Sequence, residues 1–281
     1  MYLIFDTETT GLPRNYNAPV TDFDNWPRVV QLAWVVCDDT GMEITKGDFI
    51  IRPDGFTIPF NSEKVHGIST RKAQELGVPL LEALEAFERA AGMSRVVIGH
   101  NLDFDVKVVG SEYARLRRMP PLEGLLPVDT KDESTEYCAI PGGFSGRYKW
   151  PTLEELHRKL FNTTFAGAHD ALADVRATAR CFLELVRLQV VRPEVSGVED
   201  PDRPLAGRVL RSAIEESLGK EKRRLEPADP ADPAHGQGED KGPDSAAQPP
   251  ARPAPAAAPL PDKGFVHLHT HSQYSILRSP A

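Results

Sequence analysis

Short apolar runs alternate with longer amphipathic stretches through the first 190 residues, and that alternation predicts most of the elements of the chain. Met1-Tyr2-Leu3-Ile4-Phe5 is an unbroken apolar run that stops at Asp6, the pattern of a buried strand over residues 2–6. Further runs predict strands near 29–37, 48–52 and 95–99. Apolar residues at helical spacing predict helices near 79–92, 104–118, 152–160 and 172–188. In the last of these, Val175, Ala179, Phe182, Leu183 and Val186 form one face, with Arg176, Arg180, Glu184 and Arg187 interleaved. Phe104, Val108, Val109 and Leu116 mark a one-sided helix in the same way. Repeated switching from strand to helix predicts an α/β fold, a mixed sheet flanked by helices.

The pattern changes after residue 190. Leu205, Val209, Leu210, Ile214 and Leu218 predict one amphipathic helix, a helical extension over 191–225 that ends in a basic run. Residues 226–262 are rich in proline and alanine with one large aliphatic side chain, Leu260, and read as a disordered, extended linker. The first 190 residues are then one domain of ordinary size.

Composition narrows the class. Three cysteines, Cys37, Cys138 and Cys181, show neither zinc-site spacing nor a disulfide framework, and no apolar segment is long enough to cross a bilayer. A cytoplasmic protein with no membrane partner is expected. The net charge of −8 sits awkwardly with nucleic-acid binding, which favours a basic footprint. Arg115, Arg117, Arg118, Arg147 and Lys149 are the candidate phosphate contacts.

The candidate chemistry lies in three separated stretches: Asp6-Thr7-Glu8, His100-Asn101-Leu102-Asp103-Phe104-Asp105, and His169-Asp170-Ala171-Leu172-Ala173-Asp174. Residues two apart on a strand share a face, so Asp6 and Glu8 point into one cavity. Gathered carboxylates repel one another unless cations lie between them, and oxygen ligands suit magnesium or manganese. From chemistry alone, Asp103 competes with Asp105 as ligand or helix cap. His169 precedes or opens a helix whose first turn carries Asp174; an unperturbed histidine, with a pKa of about 6.5, can take a proton from an attacking water near neutral pH. Asp129 and Asp170 read as structural.

These motifs, in this order and spacing, resemble the DEDDh family of 3′-to-5′ exonucleases, which includes the proofreading subunit of bacterial DNA polymerase III. The resemblance implies a ribonuclease H-like fold over 1–190 and two divalent cations, Mg²⁺ or Mn²⁺, held by Asp6, Glu8, Asp105 and Asp174, with His169 as general base. It implies substrate contacts at Thr9, Thr10, Gly11, His66, His100, Asn101 and Phe104. His66 belongs to Val65-His66-Gly67-Ile68-Ser69-Thr70, similar to a family element near the terminal nucleotide. The implied substrate is a single-stranded or frayed DNA 3′ end. RNA 3′-end trimming by the same chemistry and a non-catalytic polymerase-binding module are the alternatives. Residues 12–28 make a longer connection than the simplest family members have; Trp26 within it either shapes the cleft or pins the loop.

Near the C-terminus, Phe265-Val266-His267-Leu268-His269-Thr270-His271 puts three histidines on one face of a strand pattern, an arrangement suited to metal ligation. The segment 263–281 resembles the opening of the polymerase-and-histidinol-phosphatase (PHP) domain of replicative polymerase alpha subunits. On that resemblance His269 and His271 match a first ligand pair, and the DNA polymerase III alpha subunit is the expected partner, fused in the same polypeptide. Ile276 to Ala281 lack the Asp-Gly expected there.

Overall fold

Five strands form one mixed sheet in the order β3-β2-β1-β4-β5. The computed structural model describes residues 1–193; the expected helical extension, linker and PHP-like segment lie outside the described residues. The strands are β1 (Tyr2–Thr9), β2 (Val29–Cys37), β3 (Glu43–Ile50), β4 (Val96–Gly99) and β5 (Leu126–Asp129). β1 runs antiparallel to β2 and parallel to β4; β2 and β3 are antiparallel, β4 and β5 parallel. Helices α1 (Phe60–His66), α2 (Thr70–Leu76) and α3 (Leu80–Gly92) lie between β3 and β4, and α4 (Leu102–Arg115) lies between β4 and β5. The short α5 (Thr130–Glu133) and α6 (Thr135–Cys138), then α7 (Leu153–Phe161) and α8 (Ala171–Arg187), complete the described chain.

β1 is central, and its two-residue period sorts the molecule into layers. Leu3 and Phe5 point to the side where α3 and α4 pack, with the Phe5 ring 5.1 Å from that of Phe87. Tyr2 and Ile4 point to the opposite side, where α7 and α8 pack, with Tyr2 edge-on to Phe182 at 5.1 Å. Apolar burial on both faces explains why the run that begins the chain shows no alternation. The α/β class and the mixed sheet flanked by helices are as the sequence predicts.

The boundaries differ in places. The third strand is Glu43–Ile50, not 48–52, because its partner β2 and not its own pattern places it. Trp34 of β2 lies flat across Gly47, where an added Cβ would stand 2.2 Å from the indole, and stacks on Phe49 at 5.4 Å. β5, α1, α2, α5 and α6 are too short to give a periodic signal. The fourth helix begins at Leu102 and ends at Arg115, where 104–118 was expected.

Two of the candidate phosphate contacts serve the fold instead. Arg118 pairs with Glu85 and Glu88, at 3.4 and 2.9 Å. Arg115 donates to the carbonyls of Phe23 and Trp26, pinning the 12–28 connection. Trp26 is buried and donates Nε1–H to the Pro19 carbonyl, so it pins the loop, and it also forms part of the wall of a cleft with Phe23, Arg28 and Arg115. Beneath them Glu112, 1% exposed, accepts from Arg28 Nε at 2.8 Å and from the Val29 amide at 3.0 Å. Glu112→Ala is expected to cost about 2–3 kcal/mol, below the ~3–5 of a fully buried pair because the Arg28 side chain keeps 23% of its surface in water. A thermal melt checks this; a shift under ~2 °C contradicts it.

Candidate active site

The C-terminal end of β1 gathers the three motif stretches. Asp6 and Glu8 face the α8 side of the sheet, as their spacing predicts, while Thr7 between them faces the α4 side. A register shift against β2 opposite Glu8 and Thr9 forms a bulge at this end, a device that re-aims side chains beside sites.

Asp105 reaches the strand from the first turn of α4. It is 3% exposed, and its Oδ1 accepts from both the Thr7 amide at 3.1 Å and the Thr7 hydroxyl at 2.6 Å. Asp103 points away, exposed and paired with Lys107 at 2.6 Å, so of the two it is Asp105 that stands at the strand end. Asp129 takes the place of a helix cap, accepting from the Asn101 and Leu102 amides at 2.9 and 2.8 Å. That bridge fixes where α4 starts and hence where Asp105 stands.

α8 delivers the third stretch. Asp170 caps it by accepting from the Ala173 amide at 3.1 Å, and Asp174 follows within the first turn. Asp174 Oδ2 accepts from the His169 backbone amide at 3.1 Å, while His169 adopts a left-handed φ of 70° that turns the chain into the helix. Donor atoms of Glu8, His169 and Asp174 lie within 4.8 Å of one another.

Burial and mutual repulsion dominate the electrostatics. Asp6 is held well above the usual carboxylate range, first by burial and then by Asp105, Asp174 and Glu8. Glu8 is pushed up to about 9 by burial, then by Asp174, Asp105 and Asp170. Burial also raises Asp105 and Asp174 to about 7, although hydrogen bonds from Thr7 and from the His169 backbone oppose the rise. Asp6 and Glu8 are each raised by other members of the four, and the four carboxylates form a donor set that divalent cations fit, because bound cations remove the repulsion and displace the protons.

The sign of the linkage gives a prediction for the metal-free protein. A carboxylate with a raised folded pKa contributes stability that is present below its ordinary value and lost as pH rises through the folded one, here from 4.5 to about 9 for Glu8. Glu8→Gln is therefore expected to raise the melting temperature in EDTA at pH 9 by about 4–8 °C, from ~2 kcal/mol of relieved charge. A lower melting temperature than the unsubstituted protein contradicts the account. Metal affinity is expected to climb over the same pH window, with protons released on binding.

The expected substrate contacts fare differently. The Thr9 hydroxyl donates to the Gly11 carbonyl at 2.6 Å, and the Thr10 hydroxyl accepts from the Arg28 amide at 2.9 Å; both shape the turn after β1. His100 is buried, with Nδ1 3.0 Å from the Thr130 hydroxyl and Nε2 3.0 Å from the Pro151 carbonyl. Its ring has no nitrogen left for substrate, so it is a positioning residue. Phe104 is likewise buried in the core, 6.4 Å from the Tyr16 ring. Asn101 precedes α4 at φ 82°, its side-chain oxygen accepting from Lys131 Nζ at 2.6 Å. His66 lines a cleft of about 260 Å³ shared with Gln31, Lys72 and Asp170. Burial lowers its pKa to about 4, so it is neutral there, with Nδ1 accepting from the Ile68 amide. Asp129 and Asp170 have the structural role expected of them, both as caps, whereas the role of Thr7 was not foreseen. Thr7 has a sequence signal, because a strand residue between two site carboxylates faces the helix that supplies the third.

Comparisons with known proteins bear on the family and the fold. The chain is 26% identical over 195 residues to the PolC-type DNA polymerase III of Staphylococcus aureus (strain bovine RF122 / ET3-1), with 66% of this chain aligned. It spans about a tenth of that relative's length, 11%. The fold is similar to a zinc-bound E. coli exonuclease I in complex with single-stranded DNA, with a TM-score of 0.53, 22% identity, and 67% of this chain and 40% of that one covered. Exonuclease I from Methylocaldum szegediense gives a TM-score of 0.53 at 22% identity over 78% of this chain and 45% of its own. The RNase T family model, described as exonuclease, matches residues 3–182. That span holds all of the sheet but Tyr2 and every residue of the acidic cluster, and the chain belongs to the exonuclease family.

Proposed function

We propose that this chain is a divalent-metal-dependent 3′-to-5′ exonuclease of the DEDDh type that hydrolyses the terminal phosphodiester of DNA, releases nucleoside 5′-monophosphates and serves proofreading in replication. The observation that carries the reading is the convergence of Asp6, Glu8, Asp105 and Asp174 at one strand end, each raised in pKa by burial and by acidic neighbours. Its support for DNA lies in the PolC-type relatives and in the resemblance of the C-terminal histidine segment to a polymerase alpha subunit; that segment lies outside the described residues.

Asp6, Glu8, Asp105 and Asp174 would hold the ions, which when bound neutralise phosphate charge and stabilise the attacking and leaving oxygens. Thr7 fixes the rotamer of Asp105 through two hydrogen bonds to one oxygen, leaving the other oxygen for the site. His169 stands at the exposed mouth on a backbone tied to Asp174, and there it takes the proton of the attacking water. The turn after β1, braced by the Thr9 and Thr10 hydroxyls, and His66 flank the terminal nucleotide. The polymerase supplies the duplex grip that a chain of net charge −8 does not.

Matched 3′-labelled single strands of DNA and RNA, incubated with manganese, test the reading. Loss of the DNA 3′ nucleotide in preference to RNA is the expected result. A preference for RNA moves the chain to the RNA-trimming class, and no cleavage by metal-loaded protein makes it a non-catalytic module.

A further inference from the structure

The loop between α6 and α7 displays aromatic side chains that the fold does not use. Phe144 is 92% exposed and Trp150 60%, with half-exposed Tyr148 between them. The loop is nevertheless a built structure. The Lys149 amide donates to the Ile140 carbonyl at 2.8 Å, closing its ends. Gly143 packs so tightly on the opposite limb that an added Cβ would stand 2.3 Å from the Tyr148 carbonyl oxygen. Grouped aromatic exposure on such a frame marks an interaction surface.

Two ties bind this loop to the candidate active site. Lys131 Nζ sits 4.8 Å from the centroid of the Trp150 ring and donates to Asn101 Oδ1 at 2.6 Å, directly before the helix that carries Asp105. The next residue along, Pro151, gives its carbonyl to His100 Nε2. The indole is thus held beside the start of α4, the helix that brings Asp105 to the site, with an ammonium against its ring and much of its surface in solvent.

Charge selects the occupant. Residues 139–150 contain Arg147 and Lys149 and no carboxylate, in a chain of net charge −8. Lys149 is paired with Glu155 at 2.7 Å, while Arg147 is exposed in the same stretch. Aromatic rings interleaved with cations suit an unpaired, stacked strand, since every base has a π-face and every linkage a negative charge. Basic residues break up the apolar surface that a protein partner would need, and paired bases offer no free face for stacking.

We infer that the 139–150 loop is a stacking platform for single-stranded DNA, on which Trp150 and Phe144 receive unpaired bases of the strand leading to the carboxylate cluster while Arg147 meets its phosphates. The inference rests on the nuclease reading proposed above and adds a strand-binding subsite outside the metal cluster.

Intrinsic fluorescence tests it directly, because Trp26 and Trp34 are each 2% exposed and Trp150 is the one tryptophan facing solvent. The full chain in EDTA is titrated with oligo(dT), and binding is followed independently by the anisotropy of a labelled oligonucleotide. The expected result is saturable quenching that tracks anisotropy and is absent with a blunt duplex. Trp150→Ala is expected to weaken strand binding about 5- to 100-fold, with binding largely kept and the quench lost in Trp150→Phe. The quench in the unsubstituted protein reads the contact without any variant, so a misfolded Trp150→Ala cannot produce it. Strand binding with unchanged fluorescence, and equal affinity in Trp150→Ala, overturns the platform and leaves the nuclease reading intact. Absence of strand binding together with absence of metal-dependent digestion overturns both.

Discussion

Asp6→Ala is expected to abolish digestion of DNA ends, by about 10³-fold or more, and to weaken manganese binding in the same protein. Asp6 is the carboxylate whose neighbours include all three others, so its removal takes away a proposed ligand at the centre of the cluster. Stabilising charge in a phosphoryl transition state is worth several kcal/mol, and about 4 kcal/mol corresponds to the stated factor. Stability moves the opposite way, because removing one buried member of a repelling set relieves the rest. An inactive variant that melts no lower than the unsubstituted protein in EDTA identifies loss of chemistry and not loss of fold. Retention of more than about a tenth of the activity contradicts the assignment.

His169→Ala is expected to slow hydrolysis by about 10²–10⁴-fold, the usual contribution of a positioned general base, with manganese affinity little changed. The structure makes this a sharp test, because a His169 ring nitrogen lies within 4.8 Å of carboxylate oxygens of Glu8 and Asp174, close enough for the ring to act as a ligand instead. Isothermal titration of manganese into His169→Ala and Asp6→Ala separates the two roles. Affinity lost equally in both makes His169 a ligand and removes it as the base. The backbone tie from His169 to Asp174 survives the substitution, so the first turn of α8 should keep its place.

The fold class and the conjunction of the motifs were legible because they rest on strong local signals. β1 reads as an apolar run ending in two carboxylates two residues apart, and a period of two leaves one choice of face. α8 reads from its apolar stripe, and the cap at Asp170 places Asp174 in its first turn. What pairing decides is less visible. β3 carries Lys46-Gly47-Asp48 at its middle and is located by Trp34 lying across Gly47, a contact with a residue thirteen positions earlier in the chain. The choice between Asp103 and Asp105 turns on where α4 begins, which Asp129 sets from twenty-seven residues beyond Leu102. Arginines are ambiguous for a related reason. Arg115 and Arg118 look like phosphate contacts in sequence, but their partners, the loop carbonyls and two glutamates of α3, become neighbours only after folding. His100 and Phe104 sit inside a motif that signals function, yet the structure spends both on holding the helix start and the core. Motif membership marks where a site is built, and burial decides which members can touch a substrate.

No helix among the described residues is long and apolar enough to cross a membrane, and Cys37, Cys138 and Cys181 are buried and unbridged. The negative charge that sat awkwardly with nucleic-acid binding is partly the site itself, since four of the acidic residues converge at the end of β1. Cations would neutralise that end of the molecule, and strand binding is expected to strengthen when manganese is added.

The most direct test of the central claim is denaturing electrophoresis of a 5′-labelled single-stranded DNA digested with magnesium or manganese and with EDTA. The expected result is a ladder that shortens from the 3′ end by single nucleotides, present with either ion and absent with EDTA. Internal cuts, shortening from the labelled end, or a full-length strand after incubation with protein shown to bind the metal would contradict it.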